Sequence, residues 1–137
     1  MQSIETELWR TLIPVNWETE DGGEEDDEAL SLFDPDGSGT LEISCSEKEE
    51  GLVDEDDLEY FAEELIKEGM EYRRVRYGNL SGFLFEYDDN EDPAHWKEWF
   101  MACDDLFFYI TWTRPPDDGV DEEDAVLEII HNIAPLY

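Results

Sequence analysis

Positive charge is scarce in this chain. Of 137 residues, 8 are Lys or Arg and 40 are Asp or Glu, a formal net charge of -32 with neutral histidines. A surface this negative repels phosphate and anionic lipid, which excludes direct binding to a nucleic-acid backbone or an acidic membrane. Long apolar runs are missing as well, so no segment reaches the length of a membrane span. Residues 1–5 hold no basic segment leading into an apolar one, and a cytoplasmic protein is expected. Cysteine is rare: Cys45 and Cys103 fall in separate strand-like segments and read as reduced core thiols. No Gly-rich phosphate loop precedes a helix, and Cys45, Cys103, His95 and His131 lack the spacing of a zinc site. No motif supports Cys103 and His95 as a nucleophile and base, and carboxylates are too abundant for an acid–base pair to stand out. The sequence argues against catalysis and implies no cofactor.

What the chain does contain is apolar material. Hydrophobic residues make up 40% and aromatics 13%, spread too evenly for a disordered acidic tail, so residues 1–137 are expected to fold as one domain. Residues 8–13 alternate weakly and stop at Pro14, and the chain then enters the acidic run 18–28, which reads as an exposed loop. Leu30 and Leu32, the turn residues 34–39, and Leu41, Ile43 and Cys45 have the pattern of a hairpin. Asp54 is placed to cap a helix whose Leu58, Phe61, Ala62, Leu65 and Ile66 share one face, with Gly69 ending it. Four strands follow, over 72–77, 83–87, 95–102 and 106–113, the last two joined tightly through Asp104 and Asp105. Asp121 then caps a final helix that turns Val126, Ile129, Ile130 and Ile133 inward. The expected class is α+β: an antiparallel sheet of about six to seven strands with two amphipathic helices, both packed on one side.

Three groups of residues invite a functional reading. Asp34, Asp36, Ser38 and Thr40 match the start of an EF-hand calcium loop, but position 12, which needs a bidentate Glu, is Cys45. A hairpin turn is the stronger reading and weak calcium binding the minor alternative. Trp96, Trp99 and Trp112 could line a small-molecule groove, although alternating aromatics more often form sheet core. Glu24, Glu25, Asp26, Asp27 and Glu28 form an acidic run with no local structural cause, and Asp88, Asp89, Glu91 and Asp92 lie in a loop between strands. They are the candidate surface for a basic partner.

The strings Pro14-Val15-Asn16-Trp17, residues 32–44, Gly78-Asn79-Leu80-Ser81-Gly82-Phe83 and Trp96-Lys97-Glu98-Trp99-Phe100 carry a family resemblance over most of the chain. The chain resembles small bacterial proteins of unknown function and, more broadly, the PsbP/DcrB-like α/β/α sandwich group. That resemblance implies helices on both faces of the sheet and a non-enzymatic binding or accessory role.

The expectation is a cytoplasmic, non-catalytic accessory, adaptor or immunity-type protein that meets a basic protein through an acidic face. Two other readings of the charge are adaptation to high salt, with activity in a small-molecule groove, and mimicry of nucleic acid by spaced carboxylates. If the charge is adapted to high salt, screening relieves self-repulsion and the melting temperature should climb as salt is raised to molar concentration. A melting temperature indifferent to salt in a thermal scan would remove that reading.

Overall fold

Apolar alternation along the chain resolves into ten strands and three short helices in the computed structural model, which describes residues 1–6, 8–21, 29–91 and 93–136. In chain order these are β1 (Gln2–Glu5), β2 (Trp9–Ile13), β3 (Glu18–Asp21), β4 (Ala29–Phe33), β5 (Thr40–Glu47), α1 (Glu55–Phe61), α2 (Glu63–Lys67), β6 (Tyr72–Tyr77), β7 (Leu80–Asp89), β8 (Ala94–Cys103) and β9 (Leu106–Arg114). A single 3-10 turn (Val120–Glu122), α3 (Glu123–His131) and β10 (Ala134–Pro135) complete them. Seven strands pair antiparallel in the order β3-β4-β5-β9-β8-β7-β6, and β1-β2-β10 form a separate small sheet. The class is α+β, as the sequence pattern implied.

Strands β8 and β9 explain the layering. From Glu98 to Cys103 every residue of β8 is buried, and β9 is apolar on both of its faces, so both sides of the sheet need a cover. On the first face, Leu41, Ile43, Trp99, Met101, Phe108, Ile110 and Trp112 meet Trp9 and Ile13 of β2 and Val126, Ile129 and Ile130 of α3. On the second face, Phe83, Phe85, Phe100 and Phe107 meet Leu58 and Ala62 from the α1–α2 segment. Helices therefore lie on both faces, which corrects the one-sided packing expected from periodicity. Each helix shows its own apolar stripe, but the pattern does not say which side of the sheet receives it.

Several local expectations hold. The capping box is complete: Asp54 accepts from the Asp57 backbone N–H, and Asp57 accepts from that of Asp54. Gly69, at φ 78°, ends α2 with its N–H on the Ile66 carbonyl while the Met70 N–H reaches Leu65, a Schellman closure. Asp104, at φ 54°, makes the tight turn between β8 and β9. Cys45 and Cys103 are both buried in the first core.

Other expectations are corrected. The helix over 54–69 is two pieces, interrupted at Ala62. Asp121 does not cap α3; it lies in the 3-10 turn, and α3 starts with no side-chain cap bond. Residues 18–21 form an edge strand rather than a loop, because β4 offers an open edge to pair with, and β1 and β10 are strands with too few residues to show a period. The acidic loop expected over 88–93 is shortened, since Asp88 and Asp89 pair with His95 and Ala94 as the end of β7.

Gly39 marks how closely the β4–β5 turn packs. A Cβ there would lie 2.2 Å from the ring of Trp112, which is fully buried and stacks on Trp17. Gly39→Ala should destabilise the protein by about 1–3 kcal/mol in denaturant unfolding, whereas Ser46→Ala on an exposed site of β5 should change it by less than about 0.5 kcal/mol.

Candidate functional site

The two helices on the second face cover only part of it. The α1–α2 segment packs over β7 and β8, while no element covers the second face of β3, β4 and β5 among the described residues. Cross-strand register aligns one row of side chains across that surface: Glu20 opposite Ser31, Ser31 opposite Glu42, Glu42 opposite Thr111, and Thr111 opposite Glu98. Glu20 and Glu42 are exposed, Thr111 and Glu98 buried. Glu18 and Thr40 add further exposed polar groups, and the open surface holds no Lys or Arg.

Where the row passes beneath α2, a cleft of about 340 Å³ opens between the helix and strands β8 and β9. Its walls are Phe61, Leu65, Phe100 and Phe107, with Phe61 stacked on Phe107 at 4.1 Å between ring centroids. Glu64 and Glu68 stand on the helix side, and Glu98 and Tyr109 on the sheet. Glu98 is only 7% exposed, and the Tyr109 hydroxyl donates a hydrogen bond to it. Burial and contact with the Glu98 carboxylate push the phenol of Tyr109 well above the ordinary tyrosine range, and the same two causes raise Tyr87. Both phenols therefore remain protonated donors at neutral pH and supply no charge of their own. Among the described residues no Lys, Arg or His pairs with Glu98, Glu64 or Glu68.

Basic residues are spent elsewhere. Lys48 pairs with Asp57, Lys67 with Glu63 and Arg74 with Glu55 around the α1–α2 segment. On the first face, Lys97 and Arg114 hold Glu123 at 2.9 and 2.6 Å, clamping the start of α3 to β8 and β9. His95 sits with its ring nitrogens 2.7 Å from Glu86 and from Asp88.

The residues singled out in the sequence are placed differently from expectation. Glu24, Glu25, Asp26, Asp27, Glu28 and Asp92 lie outside the described residues. β3 lies at one edge of the sheet and β7 next to the other, with β4, β5, β9 and β8 between them, and the row of Asp21 continues through Leu30, Ile43, Ile110 and Trp99 to Leu84 rather than to Asp89. Of the second segment, Asp88 is engaged by His95, Asp89 accepts from the Glu91 backbone, and Glu91 is exposed in the turn.

The tryptophan groove is corrected too: Trp99 and Trp112 are fully buried in the first core, while Trp96 stacks on Tyr87 on the second face. Odd and even positions of β8 point to opposite sides, which separates Trp96 from Trp99. The calcium candidates form the β4–β5 turn. Asp34 accepts from the Asp36 backbone, the Ser38 hydroxyl donates to Asp118, and the backbone N–H groups of Ser38 and Gly39 donate to Glu122. The turn is thus tied to the carboxylates before α3, and Thr40 is the first residue of β5. Among the described residues no three His, Cys, Asp or Glu side chains are placed to hold a metal.

Glu98, Tyr109, Glu64 and Glu68 were not singled out from sequence. The available signal was Glu98 itself, a carboxylate on a strand face whose other members, Ala94, Trp96, Phe100 and Ala102, are apolar.

No family model matches the chain, and no curated protein matches it. A crystal structure of a protein from Bacteroides thetaiotaomicron VPI-5482 is similar, with a TM-score of 0.70 at 15% sequence identity over 94% of this chain. The chain spans about half, 45%, of that protein's length. At this identity the likeness concerns the fold alone. No helix among the described residues is long and apolar enough to cross a membrane.

The clamp at Glu123 has a pH signature. Burial would raise this carboxyl, but hydrogen bonds from Arg114 and Lys97 outweigh it and hold it below the ordinary glutamate value. A depressed folded pKa stabilises the fold above the unfolded value, near 4.5, and this contribution is lost as pH falls through the lowered folded value. Glu123→Gln should cost roughly 2–3 kcal/mol at pH 7 in denaturant unfolding. The gap to the unmodified protein should narrow as pH drops below about 4.5; a pH-independent gap would contradict the clamp.

Proposed function

We propose that this protein is a non-catalytic binding protein of the cytoplasm, of accessory, adaptor or immunity type, which receives a basic protein partner on the uncovered half of its second sheet face. The observation that carries the reading is the exposed pair Glu20 and Glu42, in one row with Glu98, on a surface that among the described residues holds no Lys or Arg and has no covering element. At least five of the eight basic side chains, Lys48, Lys67, Arg74, Lys97 and Arg114, are already in ion pairs. The remaining three, Arg10, Arg73 and Arg76, lie on β2 and β6 away from this face, so its counter-charge comes from outside, and the field of a chain at -32 would speed the encounter at low salt. Carboxylates and hydroxyls on this face, with Phe33 opposite Glu18, supply acceptors at strand spacing suited to Arg and Lys side chains.

The test is affinity capture from lysate at low and then moderate salt, with the unmodified protein and a Glu20→Lys/Glu42→Lys variant side by side. One stoichiometric basic protein that survives moderate salt and is lost with the variant supports the proposal. Equal retention by both proteins removes this face, and a ladder of basic proteins that washes away at moderate salt means the charge is generic.

A further inference from the structure

We propose that the cleft between α2 and strands β8–β9 is a binding site for an organic cation, a protonated primary amine or guanidinium carried on an apolar chain or ring. Glu98 is the reason to look there. It is a carboxylate nine-tenths buried, and the hydroxyls of Tyr109 and Tyr87 give it hydrogen bonds but no counter-charge. A buried carboxylate without a cation is costly, and completing the pair with N–H donors recovers that cost. Glu64 and Glu68 add two more carboxylates to the cleft, so an anion is rejected. A bare metal ion is disfavoured as well, since these carboxylates do not converge as a ligand set.

The apolar part of the cleft selects the rest of the ligand. Phe61, Phe100 and Phe107 present ring surface beside the carboxylates, which favours a cation through the ring quadrupole and buries an apolar body at the same time. About 340 Å³ is at the lower end of the range for small-molecule sites and accommodates a side chain or a small amine. Two sources share this chemistry, a free amine and a Lys or Arg side chain of a protein partner. The cleft adjoins the open sheet face through Glu98 but is tested on different residues: capture reads Glu20 and Glu42, amine binding reads Glu98 and Glu68, so either can fail without the other.

The test is calorimetric titration of the whole protein at about 150 mM salt, where diffuse attraction to surface charge is screened. The probes are 2-phenylethylammonium, N-acetyl-lysine methylamide, and the neutral 2-phenylethanol as control. Saturable one-to-one binding of at least one amine is expected, with the alcohol at least tenfold weaker. Glu98→Gln, which keeps the shape and a hydrogen-bond acceptor for Tyr109, should weaken the amine at least tenfold. Glu68→Gln, at an exposed site on the helix side, should weaken it two- to threefold and serves as the second variant if Glu98→Gln fails to fold. Tighter binding of the free amine identifies a small-molecule site, and tighter binding of the capped lysine identifies an anchor for a partner's side chain. The proposal is overturned if neither amine saturates, if the alcohol binds equally well, or if both substitutions leave amine affinity unchanged.

Discussion

Burial of strands β8 and β9 on both faces is the constraint from which the rest of the architecture follows. Trp99, Met101, Phe108 and Ile110 point to one side and Phe100, Ala102 and Phe107 to the other, and none can be left in water. Fully burying a side chain of this size is worth roughly 1.5–3 kcal/mol. Two such surfaces back to back therefore outweigh any arrangement that covers only one. The chain meets the demand with the small sheet and α3 on the first face and the α1–α2 segment on the second. The first cover is the larger, and its polar rim is closed by the Lys97–Glu123–Arg114 clamp. The second is a short, two-piece helix that reaches only part of the sheet.

That unequal cover decides where chemistry can happen. On the first face the apolar layer is continuous from β2 to α3, and even the indole N–H groups of Trp99 and Trp112 are sealed in without partners among the described residues. On the second face the apolar surface stops at the edge of α2, and Glu98 lies at the boundary between the aromatic half and the carboxylate half. Attraction for cations and an apolar pocket meet there for a geometric reason: the residue row through Glu98 runs from under the helix into the open sheet. Self-repulsion among the carboxylates adds to the drive, since any bound cation lowers the energy of the folded state at low ionic strength.

Much of the architecture was legible residue by residue. Asp54 with Asp57 read as a helix start and is one, Gly69 read as a helix end and adopts the left-handed conformation, and Asp104 with Asp105 read as a hairpin and close one. These features depend on groups within a few residues of each other, so local chemistry suffices to define them. Strands β1, β3 and β10 were not legible, because each is short and takes its form from the strand it pairs with rather than from a pattern of its own. Residues 18–21 show the same limit: composition alone cannot separate an edge strand from a solvated loop.

The candidate site was almost hidden. The sequence by itself determined the α+β class, the turns, the helix boundaries near Asp54 and Gly69, and the excess of carboxylates that fixes the sign of any charged partner. Only the tertiary structure decided that Trp96 and Trp99 face opposite ways relative to the helices, that four strands separate β3 from β7, and that Glu98 gathers Tyr109, Glu64 and Glu68 around one cleft. The physical reason is that periodicity states which residues share a face, while the choice of what covers that face is made by packing between segments tens of residues apart.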